Sequence, residues 1–75
     1  MSKEEKERIL KSIARKNVET MHEIEMHFTA ISGALERLKY DRNHLDTAML
    51  LHEAEELHRA VIRMEDRQAI ADVLE

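Results

Sequence analysis

The sequence contains no cysteine and no proline. Without thiols there is no disulfide framework, no thiolate metal site and no cysteine nucleophile, so everything that holds the chain together is non-covalent. Without proline, and with one glycine at position 33, little interrupts a long helix. Tryptophan is absent and the aromatics are Phe28 and Tyr40 alone; with 37% charged and 43% hydrophobic residues, this is the make-up of long charged helices and not of sheets. No apolar run approaches the roughly 20 residues of a membrane span. The opening Met1-Ser2-Lys3-Glu4-Glu5-Lys6 is followed by no apolar export core, so the expectation is a cytoplasmic chain with no membrane association. Twelve Lys and Arg against sixteen Asp and Glu give a net charge of -4, the wrong sign for a phosphate-binding surface, which argues against nucleic acid as a partner. At 75 residues there is room for one domain.

What is present is a helical period. Ser2-Lys3-Glu4-Glu5 fits a capping box, placing the start of a first helix near residue 3. Leu10, Ala14, Asn17, Met21, Ile24, Phe28, Ile31, Leu35 and Leu38 then follow at spacings of four and three, which predicts one apolar stripe along a helix over 3–39. The stripe lapses at Tyr40-Asp41-Arg42-Asn43-His44, where the chain reverses and where Asp41 or Asn43 can cap a second helix. That helix, over 45–74, carries Leu50, Ala54, Leu57, Val61 and Met64 at the same spacing. Gly33 falls on the outer face of the first helix, where it is tolerated or marks a kink. The fold class is therefore all-α, an antiparallel hairpin of two long helices.

A lone pair of helices covers only one side of each stripe, and Ile13, Ala34, Leu51, Ala60 and Ile62 widen the stripes beyond what a two-stranded coil needs. The hairpin is thus expected to dimerise into a four-helix bundle, or to dock on another helical protein, with Met21, Ile24, Phe28, Ile31, Leu35, Leu38, Leu50, Ala54, Leu57, Val61 and Met64 as the interface. Glu4 with Arg8, Glu7 with Lys11, and Glu55 with Arg59 are spaced as surface ion pairs. The functional expectation is a small non-enzymatic interaction module, an adaptor, regulator, inhibitor or co-chaperone, without a cofactor.

Two Glu-x-x-His steps, Glu19 to His22 and Glu55 to His58, project both side chains from one helix face. With the turn at 41–43, positions whose numbers sum to about 83 stand level across the hairpin, because both helices rise equally per residue. Glu25 is then level with His58, and Glu25, Glu55 and His58 are candidate ligands for iron or zinc. In these three residues the chain resembles the encapsulated ferritins, and the resemblance implies, as an alternative, a ferritin-like di-iron bundle. Met1-Ser2-Lys3-Glu4-Glu5-Lys6 and Ala54-Glu55-Glu56-Leu57-His58-Arg59 resemble the Rop-type RNA-binding hairpins, which implies a dimeric four-helix bundle and, as a second alternative, RNA binding through helix one. The run Leu35-x-x-Leu38-Lys39-x-Asp41 is loosely similar to the small two-helix co-chaperones of type III secretion needles, which implies a protein partner. His22 and His27 are five apart where a zincin helix requires four, and Ser12, Ser32 and Thr47 have no base at a recognisable spacing.

Overall fold

The computed structural model describes all residues 1–75 as two helices, α1 (Lys3–Tyr40) and α2 (His44–Leu74), packed antiparallel along their length in a rod 58 Å long and 14 by 13 Å across. The expected boundaries stand within one residue at each end. Ser2 caps α1, its hydroxyl accepting from the Glu5 amide at 3.1 Å, while Glu4 and Glu5 face the positive end of the helix and Arg37 and Lys39 the negative one. α1 runs unbroken through Gly33. A Cβ there would stand 3.3 Å from Nη1 of Arg37, so the glycine leaves the room in which that guanidinium lies against the helix.

The turn is three residues long and is fastened by Asn43. Its side-chain carbonyl accepts from the Asp46 amide at 2.7 Å, capping α2, and its amide donates to the Asp41 carbonyl at 3.1 Å and to Asp46 Oδ2 at 2.9 Å. Arg37 Nε closes the knot from α1 on Asp46 Oδ1 at 2.8 Å. These bonds set the register: Arg37 meets Asp46 and Arg67 reaches the Lys16 carbonyl, both pairs obeying the sum expected from the turn position.

The line of closest approach differs from the expected stripe. Going along α1, partly or fully buried positions recur at spacings of three and four through Leu10, Ile13, Asn17, Thr20, Ile24, His27, Ile31, Ala34 and Leu38, with Lys6, Ile9, Ser12, Ala30 and Gly33 also partly covered. On α2 they recur through Asp46, Leu50, Glu53, Leu57, Ala60, Met64, Arg67, Ala71 and Leu74, with Glu56 and Val61 also partly covered. Every second member is displaced by one residue: Ile13, Thr20, His27 and Ala34 take the places expected for Ala14, Met21, Phe28 and Leu35, and Glu53 and Ala60 those of Ala54 and Val61. The cause is packing distance. Ala34 and Ala60 are fully buried and Ala71 nearly so, and these small side chains let the two backbones approach where Phe28 and Leu35 would hold them apart.

No large side chain is fully buried anywhere in the hairpin. Polar groups occupy the seam instead. His27 Nδ1 contacts Glu53 Oε2 across it, and Arg67 Nη1 donates to the Thr20 hydroxyl at 2.6 Å, which itself donates to the Lys16 carbonyl at 2.9 Å. Asn17 Oδ1 is buried with no donor. Such groups specify register and partner orientation at a cost in stability.

Candidate interaction surface

The two long sides of the seam differ in chemistry. On one, the residues just before each repeat position bridge the helices through polar contacts: Arg63 Nη2 donates to Glu23 Oε2 at 2.8 Å, and Arg37 Nη2 lies 3.5 Å from Met49 Sδ. Met26, Leu45, Met49, Ile70 and Val73 are the exposed large apolar side chains there, none of them aromatic. On the other, antiparallel geometry brings together the residues just after the displaced positions, and these are the residues left out of the seam. Near the turn this is visible directly, where Leu35 and Leu38 of α1 and Thr47 of α2 line one shallow depression with Lys39 and Arg42.

This second side is apolar and open. Phe28 is 62% exposed, Val18 59%, Leu35 48% and Leu51 65%, with Met21 also exposed and Val61 half-buried. Of the eleven residues expected at the interface, Ile24, Ile31, Leu38, Leu50, Leu57, Val61 and Met64 are at least partly covered by the opposite helix, whereas Met21, Phe28, Leu35 and Ala54 stand outside it. Seven of these eleven side chains are thus at least partly covered within the hairpin and four are not.

The candidate metal ligands are not brought together within the hairpin. Register places Glu25 level with His58, as expected, but rotation about each helix axis decides which way a side chain faces. Glu55 falls on the outermost line of α2, 3.8 Å from Arg59 Nη2, and Glu25 lies 4.0 Å from His22 on its own helix. No three His, Asp or Glu side chains gather closely enough to hold an ion. Of the three expected surface pairs, Glu55 with Arg59 forms, and Glu4 with Arg8 and Glu7 with Lys11 do not come within 4 Å. Long exposed side chains gain too little there to hold one geometry. Two polar contacts that the sequence reading missed, His27 with Glu53 and Thr20 with Arg67, follow from the displaced seam; both were legible as a 3-4 repeat, offset by one residue.

Asp46 carries the one clear electrostatic signature. The Asn43 amide and then the Arg37 guanidinium hold its carboxyl below the usual value of 3.8, against a smaller opposing effect of burial. A depressed carboxylate contributes stability above its unfolded value and loses it as pH falls through the folded one. Urea denaturation at stepped pH is therefore expected to show stability dropping below pH 3.8 in the wild type, with a flatter acid limb in Asp46→Asn. Superimposable acid limbs would sink this account of the turn.

No family model, no curated protein and no solved structure matches the chain. No helix is long and apolar enough to cross a membrane.

Proposed function

We propose that this protein is a non-enzymatic interaction module, a helical hairpin that works by docking the open apolar face against a second helical hairpin to complete a four-helix bundle. One observation carries the reading: the long repeat of apolar side chains that includes Met21, Phe28 and Leu35 is left on the surface by the hairpin's own packing. Surface area supports it. The chain exposes 5938 Å², whereas a compact monomer of 8.8 kDa exposes about 4,800 Å². The excess of roughly 1,100 Å² exceeds the ~800 Å² that a standard interface takes from each partner.

In this reading the polar seam sets register inside the hairpin, while the apolar face supplies the affinity. An adaptor, regulator, inhibitor or co-chaperone built this way acts by which surfaces its assembled bundle displays. Sedimentation equilibrium of purified protein is expected to give twice the 8.8-kDa chain mass, with a melting temperature that rises with protein concentration. A folded monomer at every concentration, binding no other helical chain, overturns the proposal.

A further inference from the structure

We infer that the occupant of the open face is a second copy of this chain, related by a two-fold axis running along the bundle, so that α1 of each copy packs on α2 of the other. This orientation presupposes the docking face proposed above and adds to it the identity and direction of the partner. Two isologous arrangements close a bundle from two hairpins while keeping neighbouring helices antiparallel. With the axis along the bundle, α1 meets the partner's α2 in the register already seen inside the hairpin, and level residues face one another. With the axis across the bundle, α1 meets the partner's α1 about the midpoint of the face.

Charge decides between them. The apolar line runs from Ala14 to Leu35 on α1 and from Thr47 to Gln68 on α2, and its midpoint on each helix falls beside Glu25 and His58, which lie on the rim. An axis across the bundle sets Glu25 against the partner's Glu25, and like charges directly opposed oppose association. An axis along the bundle keeps the two Glu25 carboxylates apart, sets each beside the partner's His58, whose ring N–H can donate to it, and pairs each Lys11 with the partner's Asp72. Neither His58 nor Lys11 has an ion-pair partner within the hairpin, and Glu25 has only the 4.0 Å approach of His22.

Side-chain size points the same way. Along the bundle, Phe28 is level with the partner's Ala54, Leu35 with the partner's Thr47 and Met21 with the partner's Val61, large against smaller at each step. Across the bundle, Phe28 and Met21 of the two copies crowd one pair of helices while Ala54 and Val61 leave the other pair loose.

The absence of native cysteine makes the test direct. Glu25→Cys and His58→Cys, both exposed rim positions, are purified separately, checked for helicity by circular dichroism, and treated with a short thiol-specific bis-maleimide, each alone and after mixing with subunit exchange. The expected result is a covalent dimer in the mixture and none in either variant alone, because identical positions then lie on opposite sides of the bundle. Dimers cross-linked within Glu25→Cys alone and within His58→Cys alone, with no gain on mixing, overturn the orientation while leaving the docking face intact. A wild-type chain that sediments as a monomer instead removes the docking face itself.

Discussion

Ile31→Asp is expected to abolish helicity and assembly together. Ile31 lies in the seam, and the register that joins Arg37 to Asp46 and Arg67 to Lys16 sets it level with Glu53 of α2. The substitution removes about 2 kcal/mol of apolar burial and places a carboxylate beside an existing one, at a desolvation cost of a further ~2 kcal/mol or more. A chain this small holds only about 3–5 kcal/mol of net stability from its core, so the loss consumes it. The nearby Thr29→Asp, on the exposed outer line of α1, is expected to shift the unfolding transition by no more than about 0.5 kcal/mol. Far-ultraviolet circular dichroism with sedimentation separates the two. A folded, helical monomer carrying Ile31→Asp would contradict the seam described here, because that residue would then be dispensable to the hairpin.

Phe28→Asp is expected to separate the copies while keeping each hairpin helical. Phe28 is 62% exposed and takes no place in the seam, so the hairpin itself loses little. In the proposed bundle each copy buries one such ring, worth about 1.5–2 kcal/mol. The pair therefore weakens association by about 3–4 kcal/mol, a dissociation constant roughly 100- to 1,000-fold higher at 1.4 kcal/mol per decade. Sedimentation is expected to move to the monomer, and the melting temperature to fall and lose its dependence on concentration. Met26→Asp, which also replaces an exposed apolar residue but lies away from the face, serves as the control. Equal dimerisation of Phe28→Asp and wild type would exclude the open face as the contact.

The two replacements probe the two residues that alternate along one stripe, and their different fates explain where the sequence was readable. Positions 17, 24, 31 and 38 belong to the seam under either phase of the repeat, so Ile24, Ile31 and Leu38 were identifiable from spacing alone. Positions 20 and 21, or 27 and 28, both complete a 3-4 repeat with them. Hydrophobicity favours Met21 and Phe28; the structure seats Thr20 and His27. The Glu25, Glu55 and His58 group shows the same division, since its height along the hairpin follows from the turn and its failure to converge follows from rotation.

Composition, caps and period by themselves determined that this chain is two long antiparallel helices, where each begins and ends, and which residues stand level across the turn. Those properties are local: Ser2 and Asn43 each satisfy an amide three residues on, and equal rise per residue does the rest. Only the tertiary structure decided which half of the apolar stripe the hairpin covers. That choice depends on how closely two backbones approach, and Ala34, Ala60 and Ala71 allow an approach that turns Phe28 and Leu35 outward.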